Sequence, residues 1–499
     1  MEAFIRVILW GQEVGRLGWH ERRKLTYFHY HPDFLHGKLD IAPLVASIHN
    51  PTSTRSIFGE TEHIYQKLPS FIADALPDAW GNLLFEQWRK EQQISGRSLT
   101  PLEKLSFIGQ WGIGALEFIP ETERRFISEK INIKLLADLA QQMAEKHEQI
   151  SIQSEEVPIM QALIAIGTPA GGRQPKIIIA MNPQTGEVHF GQIEPETDFL
   201  YYLLKFGNKE RSSAELEQTY YEMALDAGIT MMESCLWKVE DTEHFLTKRF
   251  DRDASGKLHT QTLAAMDPTA SSYESLLTVC QKLHLPESDS QEVFCRMIFN
   301  ILANNTDDHN KNFTFIMDRK GTWRLSPAYD MTFIFDAGGF RPDRRHCLTI
   351  SGKVQDISRT DVLSLASQFG IQEPESIIRK VVRSVRKFRE LAKKNRVRDE
   401  WIGRIESCIN GHLSAWGYES NPQSFSYKEN GYEIKNAFIE PAYKGNYHLL
   451  ATINGKAYKY ILRTGTKEYD AITAKGLSNI TEDAIKKLVQ SYLLPKTLS

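Results

Sequence analysis

The sequence predicts an α+β fold in two lobes, on three observations. The front half carries period-two and β-branched segments, including residues 177–179 and 199–206. From residue 271 the apolar spacing becomes helical, over 271–283, 290–303, 360–369, 375–394 and 399–416. A Gly-rich turn lies in the front half, and two acids bracketing an Asn lie in the rear. A chain of 499 residues exceeds one ordinary core. The composition divides it into a β-rich N-terminal subdomain (1–120), a β-rich lobe (121–249), a helical lobe (250–418) and a linker with a small β-rich appendage (419–499).

Hydrophobic residues at 41% and charged residues at 25% are those of a globular protein, and a net charge of −3 gives no global field for nucleic acid. The chain has no basic-then-apolar start and no long charge-free apolar run, so the expectation is a cytoplasmic protein without membrane contact. The five cysteines are scattered and never in CxxC spacing, which reads as reduced thiols.

In chain order, FIRVILWGQEVGRLG (4–18) reads as two strands joined by a tight GQE turn. Residues 69–93 have helical spacing with a Pro-Asp break at 77–78, and 105–119 form a Gly-rich packed turn or strand. No group of converging acids or nucleophiles occurs in this quarter, so it reads as a packing or partner-binding subdomain. Residues 131–148 have the spacing of an amphipathic helix. Next comes LIAIGTPAGGRQPKIIIAM (163–181): strand, Gly-rich loop, strand. Gly167, Gly171 and Gly172 leave backbone amides open to a phosphate, with Thr168 in the loop and Lys176 at its end. A plain hairpin turn is the alternative. The loop is not GxxxxGK[ST], and no helix follows it.

Lys205 falls inside the apolar run FLYYLLKF, where an unpaired charge is costly. It either faces solvent on an edge strand or meets Glu217 of the next, helical element (212–227). HFLTKRFDR (244–252) is an apolar strand ending in charge. It suits a hinge between lobes, with Arg249 a candidate nucleotide contact.

In residues 300–332 an apolar helix delivers Asp307 into a polar loop, and a hairpin, FTFIM–DRKG–TWRL, returns the chain to present Asp330. Asn312 lies between them. A protein kinase assembles its base, its metal-binding Asn and its metal-binding Asp in this order, and needs a strand Lys held by a helix Glu. A metal-dependent phosphohydrolase built on Asp307, Asp308 and His309 is a competing reading, but neighbouring residues on an extended chain face opposite ways. Residues 379–398 hold ten Lys/Arg and one acid, Glu390, with the apolar residues on one face. This basic amphipathic helix is either a lobe helix with a solvated back or a surface for a phosphate backbone or acidic partner. Beyond Gly417 come a polar linker, three short strands within 432–463 with an Asn454-Gly455 hairpin signal, and a closing helix at 482–493.

The motifs LWGQEVGRL, ADALPDAWGNLL, FIGQWGIGALEF, GTPAGGRQPK, YYLLKF, ELEQTYYEMALDAGI, FLTKRFDR, LHTQTLAA, NTDDHNKNF, LSPAYDMT and RRHCLTISGK, in this order, resemble the HipA-type serine/threonine kinase toxins of bacterial toxin–antitoxin systems. The resemblance spans residues 4–418 and leaves the tail outside. It implies a bilobal protein-kinase-like fold using ATP and Mg²⁺. Asp307 would be the base for a substrate Ser or Thr hydroxyl, with His309 supporting the loop and Lys311 stabilising the transferred phosphate. Asn312 and Asp330 would be the metal ligands. Gly167, Thr168, Gly171, Gly172, Lys176, Lys205, Glu217 and Arg249 would form the ATP site, and Thr168 would be an autophosphorylation candidate, although Pro169 departs from the family pattern. The implied partners are a protein substrate such as an aminoacyl-tRNA synthetase and a helix-turn-helix antitoxin. DNA would be met only indirectly or through the helix at 379–398. A non-catalytic corepressor with the same fold is the alternative.

Overall fold

The computed structural model describes residues 4–91, 99–120, 136–140, 142, 163, 174–190, 198–335 and 344–418. In the tail it describes 427–429, 432–441, 447–453, 456–463 and 470–471. Gly167, Thr168, Gly171 and Gly172 lie outside these residues, as do most of the expected helix at 131–148 and all of the closing helix at 482–493. The chain divides into two compact units, 1–402 and 403–499, with the division inside the helix Asp399–Ala415.

The N-terminal sheet has five antiparallel strands, in the order Ile57–Phe58, Leu25–Tyr30, Gln12–His20, Phe4–Leu9, Leu116–Pro120. Its first hairpin turns at Trp10 and Gly11 rather than in the expected GQE. Both have positive φ, 50° and 82°, the mirror-image turn whose twist matches a two-residue hairpin. Trp10 holds this unusual backbone while its indole Nε1 donates to the Lys257 carbonyl at 2.7 Å. The stretch expected as turn or strand at 105–119 begins instead as a helix, Pro101–Ile108. Thr100 and Glu103 close a capping box at its start.

The second sheet orders Val188–Phe190, Lys176–Met181, Leu200–Lys205, Thr242–Lys248, Ser234–Val239, all antiparallel. Lys176 and Lys205 are direct register partners. The core of this lobe is completed from outside it. Trp80, Leu84 and Phe85 of the helix Ala79–Glu91 pack with Ile177, Ile179, Leu204 and Leu246. Burying each large apolar side chain stabilises by roughly 1.5–3 kcal/mol. The N-terminal subdomain therefore packs into the core of this lobe, in line with the packing role read for it from the sequence.

The rear lobe contains the helices Tyr273–Lys282, Glu287–Leu302, Arg359–Gln368, Pro374–Val385 and Phe388–Lys394. The basic helix expected at 379–398 is thus two helices broken at 386–387. The expected hairpin pairs Thr314–Met317 with Trp323–Leu325, and Asp318 Oδ1 accepts from Lys320 N and Thr322 N in its turn. In the second unit, Tyr427–Glu429, Tyr432–Pro441, Tyr447–Ile453, Lys456–Arg463 and Asp470–Ala471 form an antiparallel meander. The expected three strands are there, with two short edge strands added. Among the described residues no helix is long and apolar enough to cross a membrane.

Two buried histidines give the fold an acid limit. His244 accepts from Gly207 N through Nδ1 at 3.0 Å, and His259 lies 3.1 Å from the Ile41 carbonyl. Burial pushes both down to about 4. A folded value below the unfolded value of about 6.5 means that the stabilisation is complete above that pH. It is lost as pH falls toward 4, with a slope of up to about 1.4 kcal/mol per pH unit for each group. The urea midpoint should therefore fall with pH across this window. His244→Asn, which can still accept from Gly207 N, should remove about half of the slope, whereas a flat wild-type profile would contradict the assignment.

Candidate active site

The helix Glu287–Leu302 buries Val293, Phe294, Met297, Ile298, Ile301 and Leu302, the stripe read from the sequence. Asn304 just beyond it has φ 55° and turns the chain into the polar loop. Asp308 anchors that loop. Its Oδ2 accepts from Tyr273 OH and lies 2.9 Å from His346 Nδ1, and its Oδ1 accepts from Cys347 N at 2.8 Å. Asn300 Nδ2 donates to Tyr273 OH, and Asn305 Nδ2 donates to Asn300 Oδ1, extending the chain of bonds to the helix end. Burial, followed by the Asp308 charge, pushes the Tyr273 hydroxyl well above its ordinary value.

With Asp308 turned inward, Asp307 faces outward. Arg344 Nη2 donates to its Oδ1 at 2.8 Å, and Asn312 Nδ2 donates to its backbone carbonyl at 2.7 Å. His309 accepts from Lys311 N at 3.2 Å and caps the short 3-10 turn Asn310–Asn312. Asp308 is fully committed to its anchor. Among the described residues no group of three or more His, Cys, Asp or Glu is placed to hold a metal. Asp307, Asp308 and His309 therefore do not form the ligand set of a hydrolase.

The other half of the site rests on one lysine. Lys205 Nζ is bonded to both Glu217 Oε1 and Asp330 Oδ1, and Lys176 lies beside it across the strand pair. Lys176, Lys205 and Glu217 are each under 5% exposed. Burial disfavours the charged amine of Lys205, but Asp330 and Glu217 outweigh it and hold the amine above its ordinary range. Burial likewise raises Asp330, but Lys205 and Lys176 overcome it and hold the carboxyl well below the usual range. Glu217 is left raised, by burial and by Asp330 competing for the same cation. Burial pushes the Lys176 amine down.

Asp330 sits in the left-handed region at φ 53°, a strained conformation for a residue with a Cβ. Its neighbours hold it there. Tyr329 stacks on Phe250 with centroids 5.4 Å apart, and its hydroxyl donates to the Lys311 carbonyl at 2.7 Å. Arg296, buried, donates to the Ser326 carbonyl at 2.7 Å, and Ala328 N donates to the Thr230 carbonyl at 2.8 Å. Asp307, Asn312 and Asp330 line one small cleft, with Arg296, Asn305 and Tyr329 in its walls. The Asn312 and Asp330 oxygens are hard donors of the kind Mg²⁺ takes, one or two from protein and the rest from water or phosphate. Asn305 Oδ1, buried in the same wall, has no partner among the described residues. The donor set fits that ion.

Arg249, a candidate nucleotide contact, is placed otherwise. Its Nε and Nη2 form a fork on Asp251 at 2.8 and 2.6 Å, and Nη2 also reaches the Gly112 carbonyl. Asp251 in turn accepts from Gly114 N and Arg252 Nη1. Arg249 thus ties the turn before Leu116–Pro120 to Asp251, whose carboxylate it shares with Arg252. Lys311 Nζ is 2.6 Å from Asp78 Oδ1 of the N-terminal subdomain. Asp78, Tyr273, Arg296 and Arg344 were not found by sequence reasoning. Two of them lie within motifs quoted for the resemblance, LPDAW and RRHCL, but only long-range contacts give them a role.

Two family models match the chain: a HipA N-terminal domain over residues 5–119 and a HipA-like C-terminal domain over residues 168–388. A solved structure of Shewanella oneidensis HipA, determined with HipB and its operator DNA, aligns with TM-score 0.59 at 15% identity. The alignment covers 83% of this chain and 97% of that one, so the two share a fold. A Helicobacter pylori proinflammatory kinase, CtkA, aligns at TM-score 0.31 and 12% identity over 44% of this chain and 88% of its own, too low to carry an argument. No curated protein matches this sequence. The fold is the α+β, kinase-like bilobal class expected from the sequence.

Asp308→Ala should destabilise the rear lobe by roughly 3 kcal/mol, because the buried Tyr273 OH and His346 would lose their acceptor and Cys347 N its partner. Asp308→Asn, which keeps one oxygen for Cys347 N, should cost less. Urea unfolding of the two variants measures this, and wild-type stability in the alanine variant would remove Asp308 from its anchoring role.

Proposed function

The chain belongs to the HipA family, and from that premise we propose that it is a Mg·ATP-dependent protein serine/threonine kinase. The observation that carries the reading is the buried Lys205 joined to Glu217 and Asp330, with Asp330 on the same cleft as Asp307 and Asn312. Lys205 is a fixed cation for the α/β-phosphates, held by Glu217 from the neighbouring helix. Asn312 and Asp330 are the residues that would hold Mg²⁺. When bound, the ion bridges phosphate oxygens and offsets the charge that develops during transfer.

Asp307 accepts the proton of the substrate Ser or Thr hydroxyl. Asn312 fixes its backbone from one side, and Asp308, the next residue, is locked from the other, so the carboxylate is oriented before substrate arrives. Arg344 occupies one oxygen of Asp307 and leaves the other to receive a proton. Lys311 meets the transferred phosphate.

We further propose that the protein acts in the cytoplasm as the toxin of a toxin–antitoxin pair. It would inhibit growth by phosphorylating a translation-related protein such as an aminoacyl-tRNA synthetase. The Shewanella relative was solved with HipB and operator DNA, which supports a DNA-binding antitoxin as partner here. Three of the ten basic residues at 379–398, Lys387, Lys394 and Arg396, pair with Asp226, Glu222 and Glu243, so DNA would be met indirectly, through the antitoxin, or through the remaining basic residues of this segment. Thr168 is the proposed autophosphorylation site. A phosphate there, of charge about −1.5 to −2, would repel the incoming nucleotide.

Labelled ATP with Mg²⁺ should place label on protein. Asp307→Asn should lower that transfer by about 10²–10⁴-fold while keeping nucleotide binding and melting temperature. Transfer retained by this variant would remove Asp307 as the base, and free phosphate without labelled protein would favour hydrolysis. After incubation with ATP, mass spectrometry should find phosphate on Thr168, and an active protein with Thr168 unmodified would end that assignment.

A further inference from the structure

One stretch of the N-terminal domain touches both lobes in turn. Tyr65 OH donates to the Ala264 carbonyl at 3.0 Å, and Ser70 Oγ donates to the Ala265 carbonyl at 2.9 Å. Asp74 accepts from Thr262 N and Thr262 Oγ1 at 2.7 and 2.6 Å. Four residues on, Asp78 meets Lys311 of the catalytic loop, and Trp80 Nε1 donates to the Lys176 carbonyl at 3.0 Å. From there the helix Ala79–Glu91 enters the core of the nucleotide lobe. Residues 65–80 therefore run as a strap from the rear lobe, past the catalytic loop, to the strand that begins at Lys176.

We propose that Asp78 is a positioning residue for Lys311, so that the N-terminal domain sets the cation of the catalytic loop. This rests on the kinase reading above and names a contributor to its site that lies outside both lobes. A lysine ammonium has three donors and a flexible four-carbon stem. One N–H on Asp78 fixes the head and leaves two for phosphate oxygens. The pair is only partly exposed, at 25% and 33% of the two side chains, so it is less screened than a surface pair. Both ends are braced. Asp78 sits between the Asp74–Thr262 bonds and the buried Trp80, while Lys311 N is capped by His309 and its carbonyl accepts from Tyr329 OH. A lysine without Asp78 would sample many rotamers, and the entropy of fixing it would fall on the transfer step.

The test is a double-mutant cycle on the full chain, reading labelled γ-phosphate leaving ATP, whether to protein or to water, alongside the Kd of a fluorescent ATP analogue. Asp78→Asn and Asp78→Ser both keep a helix-capping side chain ahead of Ala79 while removing the charge, so one can stand in if the other does not fold. Each should lower kcat about tenfold, with analogue affinity and melting temperature little changed, and Asp78→Glu should recover part of the loss. In a Lys311→Met background the same substitutions should add nothing. Equal losses in both backgrounds, or a loss that tracks melting temperature, would make Asp78 structural and overturn the proposal. Full turnover in both Asp78 variants would also overturn it. A wild-type chain that binds the analogue but releases no γ-phosphate would instead bring down the kinase reading, and this proposal with it.

Discussion

A buried lysine shared by two carboxylates is the constraint on which the rest of this structure depends. Lys205 reaches Glu217 from a helix and Asp330 from the far lobe. Lys205 and Glu217 are buried, each tolerable there only because an opposite charge lies beside it, whereas Asp330 opens partly to the cleft. Removing one partner from such a group costs about 3–5 kcal/mol, since the remaining charge stays buried. The triad therefore fixes the relative positions of the strand Leu200–Lys205, the helix Ser213–Ala227 and the segment carrying Asp330.

The helix Ser213–Ala227 is held in place along its length. Tyr220 OH donates to the Ala303 carbonyl at 2.6 Å, Ser384 Oγ donates to the Met223 carbonyl, and Asn395 Nδ2 donates to Thr219 Oγ1 at 3.2 Å. Lys387 and Lys394 pair with Asp226 and Glu222 around its exposed edge. Exposed pairs contribute little individually. The buried hydrogen bonds carry the attachment, and the charges set its register. A helix attached in this way keeps Glu217 beside Lys205. The basic run at 379–398 takes its meaning from this. Its apolar stripe and two buried polar groups face the helix carrying Glu217, and part of its charge answers acids on that helix.

Much of this was legible in the sequence, for a physical reason. Lys205 in an apolar run, and acids with an Asn after an apolar helix, are residues whose local setting makes no sense without a partner, so their chemistry can be inferred from one stretch of chain. The hairpin between Asn312 and Asp330 was equally local, since Asp318 and Gly321 define its turn. What stayed hidden was long-range. Nothing near Asp78 signals a lysine 233 positions away. Arg249 looked like a nucleotide contact because it ends a hinge-like strand, but Asp251, two residues on, captures it. Asp308 and Asp307 are the same residue type side by side, and only the contacts from Tyr273, His346 and Cys347 separate the anchor from the proposed base. The break at 386–387 and the turn at Trp10 were also beyond pattern reading, because each is set by what the segment packs against.

The backbone at Asp330 brings these threads together. A left-handed aspartate is unfavourable by itself, and its carboxylate would be more costly still if buried alone. Lys205 and Lys176 remove the second cost by holding it ionised. Tyr329 and Ala328 remove the freedom to relax the first, because one is stacked and hydrogen-bonded and the other is bridged to Met231. A carboxylate prepared in this way is already deprotonated and already aimed along the cleft it shares with Asn312. Two buried lysines therefore hold its charge. The same pair of lysines, adjacent on neighbouring strands, would be mutually repulsive without Asp330 and Glu217 between them. Strand register, helix attachment and backbone strain are thus three expressions of one electrostatic requirement, and a change in any of them acts on the site through Lys205.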